Sequence, residues 1–181
     1  MSSNRITVAV SSLKVGPGLK ISNAVLKILG NLKINWLQNY HDALEKALLT
    51  SGDQARGAGL VMAFFTGSDW CPYCQALTTE VFNTLEFRFW FNSHLMVPLL
   101  VDYPQNTSQP DDIKTQNAKL MQQYNITGFP TVVAIKASSA YCTPNGQCVI
   151  NASEVGRVAG YMKGSGPDSW ITSFSAAANI Q

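Results

Sequence analysis

Charge is scarce in this chain: 13% of its 181 residues are Asp, Glu, Lys or Arg, against an average of about 25%. The 13 basic and 11 acidic residues leave a formal net charge of +2. No basic block stands among them, so nothing offers the electropositive stripe that nucleic acid requires, and no nucleic-acid partner is expected. No apolar run reaches the roughly 18 residues of a membrane-spanning helix. Histidine occurs only at His41 and His94, neither with a cluster of ligating neighbours, so each reads as a helix or surface residue and no metal site is expected. No secretory signal is visible either. The apolar stretch 6–10 is too short for one, and 24–29 is interrupted by Lys27. What the sequence does have is 46% apolar residues, enough for a core and too many for a disordered chain. Its surface is expected to rely on Ser, Asn, Gln and Thr, and its length suits one domain with additions.

The first 35 residues read as an extension of undetermined role. Residues 6–10 have strand character, Gly16-Pro17-Gly18 is a turn signal, and 19–32 fits helix and strand equally. From Trp36 onward the pattern is clearer, and residues 36–181 are taken as one domain. Ala43, Leu44, Ala47 and Leu48 share one face of a helix over 38–50. The unbroken apolar run 59–65 marks a strand buried on both faces. A helix over 75–92 follows Pro72, which suits a first helical position. Its crowded aromatics Phe82, Phe87, Phe89, Trp90 and Phe91 are expected to pack mainly under the sheet. A strand over 96–101, a helix over 113–124, a β-branched strand over 131–136, a loop over 138–153, a strand over 154–162 and a helix over 169–178 complete the order α-β-α-β-α-β-β-α. That order implies an α/β domain, a mixed central sheet with helices on both faces.

Four cysteines occur, at 71, 74, 142 and 148. Two close pairs separated by a long gap favour the pairings 71–74 and 142–148 among the three that four cysteines allow. A zinc site using all four is the competing reading, but the spacing C-x2-C then C-x5-C is not that of a zinc ribbon. In Cys71-Pro72-Tyr73-Cys74 two thiols lie one turn apart at a helix start. There the free N–H groups and the helix dipole favour an anion at Cys71 and depress its pKa from about 8.5. A thiolate attacks disulfides; Cys74, a turn deeper and less exposed, would resolve the product. Pro72 stiffens the turn, and the strand upstream gives the site a rigid base.

Phe65-Thr66-Gly67-Ser68-Asp69-Trp70-Cys71-Pro72-Tyr73-Cys74 resembles the active-site segment of the thioredoxin superfamily, most closely its members with a T-G-S-D-W-C-x-x-C segment. Tyr124-Asn125-Ile126-Thr127-Gly128-Phe129-Pro130-Thr131 resembles the second signature of that family, whose proline is cis and faces the cysteines. The likeness covers roughly 36–178. It implies the thioredoxin fold, and a thiol–disulfide oxidoreductase that acts on protein disulfides or dithiols with a redox partner and no cofactor. Carried over, Cys71 is the nucleophile and Cys74 the resolving thiol. Trp70, Pro72, Tyr73, Thr127, Phe129 and Pro130 contact substrate. A thioredoxin-fold binding module with incidental thiols is the alternative. Two departures stand out. The acid that thioredoxin carries in the preceding strand is absent from Val61-Met62-Ala63-Phe64-Phe65. The dipeptide Pro72-Tyr73 is that of glutaredoxins, which implies a couple more oxidising than thioredoxin's.

Cys142 and Cys148 flank Pro144-Asn145-Gly146, a tight-turn signal that would bring the two arms together. A structural disulfide is the leading reading, with free thiols or a regulatory switch as alternatives. Such a bond persists in oxidising compartments, so a periplasmic or other extracytoplasmic location is expected, with the protein a monomer.

Overall fold

The computed structural model describes residues 33–52, 59–145 and 148–180. The expectations for 1–32, and Gly146 of the expected turn, lie outside the described residues. Five α-helices and four strands are described: α1 (Tyr40–Thr50), β1 (Leu60–Thr66), α2 (Pro72–Leu77), α3 (Leu85–Ser93), β2 (Val97–Asp102), α4 (Asp111–Gln123), β3 (Thr131–Cys142), β4 (Cys148–Ala159) and α5 (Gly166–Ala177). The strands form one mixed sheet in the order β2-β1-β3-β4. β1 runs parallel to β2 and antiparallel to β3, which in turn pairs antiparallel with β4.

Every residue of β1 is buried, because side chains alternate between two cores. Val61, Ala63 and Phe65 face one core with Ala43, Leu44 and Ala47 of α1 and Leu120 of α4. Met62 and Phe64 face the other, with Leu77, Phe87, Phe91, Trp170 and Phe174 of α2, α3 and α5. This two-sided burial is what the continuous apolar run encodes. Ahead of α1, Leu37 lies along the outer edge of β2. Its N–H donates to Pro98 O at 3.0 Å, and its carbonyl accepts from Leu100 N at 2.8 Å.

Two elements differ from the sequence reading. The helix expected over 75–92 is broken: α2 passes into a π-helical turn, Thr78–Phe82, and α3 starts afresh. The Thr78 and Thr79 hydroxyls donate to the carbonyls of Cys74 and Gln75, both at 2.9 Å, and so compete with the regular ladder. Thr84 then caps α3 by accepting from Phe87 N at 3.3 Å. Of the crowded aromatics, Phe82, Phe87 and Phe91 are buried and Phe89 is exposed. The loop expected over 138–153 is a hairpin arm instead. The β3–β4 ladder runs on through Ala140↔Ile150 and Tyr141↔Val149 to Cys142↔Cys148. Small polar residues have weak strand propensity. Here the arms hold each other: Ser138 Oγ donates to Asn151 O at 3.2 Å, and Asn151 Nδ2 to Ser139 Oγ at 2.9 Å.

Candidate active site

The chain leaves the sheet at Thr66 and turns at once. Cys71 N donates to Gly67 O at 2.8 Å and Trp70 N to the same oxygen at 3.3 Å. Gly67 is required by close approach, since a Cβ there would collide with the Trp70 indole. Cys71 is the N-cap of α2, and its Sγ accepts the Cys74 N–H at 3.2 Å. Cys71 and Cys74 are joined as a disulfide with their Cα atoms 5.2 Å apart. Sequence reasoning expects Cys71 to be the more exposed of the two, and it is, by a narrow margin. Both are buried in this oxidised form, at 4% and 1% exposure, because the pair packs into the core beneath β1 with Phe129 against it. The exposed surface belongs to the neighbours Trp70 (38%) and Tyr73 (54%).

The residues around the motif are held from three sides. Trp70 Nε1 donates to Tyr103 O at 2.8 Å. The Phe129 ring lies 5.8 Å from that of Trp70 and 5.1 Å from that of Tyr103. The Phe129–Pro130 peptide is cis, Pro130 O accepts from Gly160 N at 2.7 Å, and Thr127 is exposed. Tyr103 donates its hydroxyl to Asn117 O at 2.5 Å, and burial pushes its pKa upward.

Asp69, the carboxylate closest to Cys71 in sequence, points away into another task. It accepts the backbone N–H groups of Gln105, Asn106 and Thr107 at 3.0, 2.7 and 3.1 Å. These bonds, Gln105 foremost, hold its pKa below 3.8. Asp102, at the end of β2, binds Ser68 twice: Ser68 N donates to Oδ1 at 2.9 Å and Ser68 Oγ to Oδ2 at 2.6 Å. The Thr-Gly-Ser-Asp segment therefore ties the cysteine turn to the loop after β2.

Some site residues carry no local sequence signal. Glu80, in the π-helical turn, accepts from Tyr161 Oη at 2.7 Å and Gly164 N at 2.6 Å. The Tyr161 bond, with the Gly164 amide and the Lys163 charge, lowers its pKa. This fastens the β4–α5 loop near the motif and sets Lys163 Nζ 5.0 Å from the centre of the Tyr73 ring. Only folding brings positions 73, 80 and 163 together.

The histidines lie apart from this arrangement. His94 Nδ1 is 2.6 Å from Trp90 O, and His41 is exposed on α1. Cys142 and Cys148 close the hairpin tip as an exposed disulfide, Cα atoms 4.0 Å apart. From Thr131, next to Pro130, eleven residues of β3 lead to Cys142, a span of about 36 Å at a strand rise of ~3.3 Å. The two disulfides therefore sit at opposite ends of the arm.

A four-stranded mixed sheet flanked by helices, with a Cys-x-x-Cys disulfide at the head of the helix after its first described strand, defines a thioredoxin-fold protein with a dithiol–disulfide pair. The chain belongs to the thioredoxin-like domain family, which matches residues 52–171. Over 77 residues it is 39% identical to the disulfide bond reductase DsbH of Chlamydia pneumoniae, a match covering 42% of this chain and 46% of that protein. It thus spans about half the length of that relative. A solved structure of a DsbH oxidoreductase superposes with a TM-score of 0.62 at 26% identity, covering 82% of this chain and 87% of the other. A thioredoxin from Thermus thermophilus, solved in solution, shares the fold with a TM-score of 0.51 at 20% identity, over 77% of this chain and 83% of its own.

Proposed function

We propose that this chain is a protein thiol–disulfide oxidoreductase in which Cys71 is the nucleophile and Cys74 the resolving thiol. The observation that carries this reading is the N-cap geometry: the Cys71 sulfur accepts the Cys74 N–H and stands at bonding distance from the Cys74 sulfur. An N–H aimed at that sulfur favours the thiolate over the thiol. In the reducing direction the Cys71 thiolate attacks one sulfur of a client disulfide. The client's other sulfur leaves as a thiolate and a mixed disulfide forms. Cys74 then attacks the Cys71 sulfur, closing the 71–74 bond and releasing the client as a dithiol. A redox partner supplies the two electrons for the next cycle.

Trp70, Tyr73, Thr127 and Phe129 offer the client an apolar rim, with Pro72 and Pro130 shaping it. The cycle is written in the reducing direction after the name of the Chlamydia relative, and the potential of the 71–74 couple sets which way it runs. The exposed 142–148 disulfide supports an extracytoplasmic, periplasmic setting, and the protein is proposed to act as a monomer. Insulin reduction by the wild type and by Cys71→Ser tests the reading. Turnover is expected only in the wild type; equal rates would leave a binding module with incidental thiols.

A further inference from the structure

Cys74 has to lose a proton before it can resolve a mixed disulfide, yet it is 1% exposed and β1 beside it carries no acid. A cavity of about 310 Å³ lies behind it, bordered by Cys74, Thr66, Ser68, Gln75, Thr78 and Thr79 together with apolar side chains, none of them charged. The Thr78 and Thr79 hydroxyls are already committed to helix carbonyls. Thr66 is different: it is 1% exposed, and its hydroxyl makes no hydrogen bond with any described residue. A buried hydroxyl takes a partner, and the cavity, though mostly apolar in its wall, has room for water beside its polar groups. Ser68, which borders the cavity and is exposed to solvent, donates its Oγ to Asp102 Oδ2 at 2.6 Å. Asp102 is thereby the carboxylate in hydrogen-bond contact with the cavity lining. The other titratable groups nearby are engaged elsewhere: Asp69 with the amides of Gln105, Asn106 and Thr107, and Tyr103 with Asn117.

We propose that Ser68 and Asp102 are the proton outlet for Cys74, standing in for the acid that β1 lacks. The thiol proton passes to cavity water held at Thr66 and on to Ser68 Oγ, while Ser68 hands its own proton to the Asp102 carboxylate. The Cys74 thiolate then attacks the Cys71 sulfur. The 74–71 bond forms, the bond from Cys71 to the client breaks, and the client sulfur leaves as a thiolate that takes up a proton. The client disulfide gains two electrons and the Cys71/Cys74 dithiol loses them.

This inference rests on the reading of Cys74 as the resolving thiol, and the experiment separates the two. The reduced full-length chain is mixed with a peptide disulfide, quenched in acid at intervals, and the mixed disulfide is counted by mass across pH. Cys74→Ser is expected to accumulate the mixed disulfide; if it forms none, the functional reading fails and takes the outlet with it. Given that accumulation, Ser68→Ala and Asp102→Asn are expected to prolong the mixed disulfide by at least about tenfold near neutral pH. That gap should narrow only as pH rises above the free-thiol value of about 8.5, where hydroxide can take the proton directly. The first attack by Cys71 is expected to keep its rate, and Ser68→Thr, which retains the hydroxyl, to restore the wild-type profile. Resolution at wild-type rate and with wild-type pH dependence in both Ser68→Ala and Asp102→Asn would overturn the outlet, since the proton would then pass directly to bulk water.

Discussion

The Cys74 N–H that points at the Cys71 sulfur has a consequence for the reduced protein. With the disulfide opened, that donor favours the Cys71 thiolate, so the pH dependence of Cys71 alkylation is expected to have its midpoint below about 8.5. A midpoint at or above that value would remove the electrostatic basis of the nucleophile. Asp69 makes a second case at this scale. Its folded-state pKa lies below 3.8, chiefly through the Gln105 amide. Its contribution is therefore complete above 3.8 and is lost as pH falls through the depressed folded value. Thermal unfolding of wild type against Asp69→Ala is expected to show a gap that closes only on strong acidification. The cysteines, and the aromatic and proline residues around them, were legible because their spacing is local. Asp69 lies next to the motif in sequence, and only the fold reveals its turn toward the 105–107 amides. Asp102 and Lys163 had no signal at all, since each reaches the site from a distant part of the chain, and Glu80 had none because its partners Tyr161 and Gly164 lie 81 and 84 positions away.

Among the elements, β1, β2, α1 and α4 lie within a few residues of where periodicity puts them, because burial on one or two faces writes itself directly into apolar spacing. The π-helical turn and the hairpin arm were not legible. The first depends on threonine hydroxyls competing for carbonyls, the second on pairing between residues with little strand preference of their own. The arm yields a prediction. Replacing both Cys142 and Cys148 by Ser is expected to leave disulfide-exchange activity intact, given about 36 Å of strand between the two sites. Stability should fall by at most about 2–3 kcal/mol, the chain-entropy value for so short a loop, measured by urea unfolding. Lost activity at unchanged stability would make the pair a redox relay. A further test lies where β4 meets α5. Gly156 approaches the Ala177 carbonyl so closely that a Cβ would overlap it, so Gly156→Ala is expected to cost about 1–3 kcal/mol by overpacking, with a lowered urea midpoint.

For the molecule as a whole, the redox couple is the quantity that fixes direction. With no acid in β1 to oppose the Cys71 thiolate, and with Pro72-Tyr73 between the cysteines, the 71–74 couple is expected near −200 to −230 mV, above the roughly −270 mV of thioredoxin. Equilibration with glutathione buffers measures it. A value at or below −270 mV would mark a dedicated reductant, in keeping with the name of the Chlamydia relative. The sheet has a consequence of a different kind. Along the outer side of β2, Leu37 occupies Pro98 O and Leu100 N, and Pro98 has no N–H to offer. β4 pairs on its outer side with no described strand. Growth of a fibre by strand addition needs a vacant edge at each end of the sheet, so that every added copy presents a new one. With one end sealed and one open among the described residues, two copies joined through β4 would exhaust those free edges in the act of pairing, and the stack would stop at two.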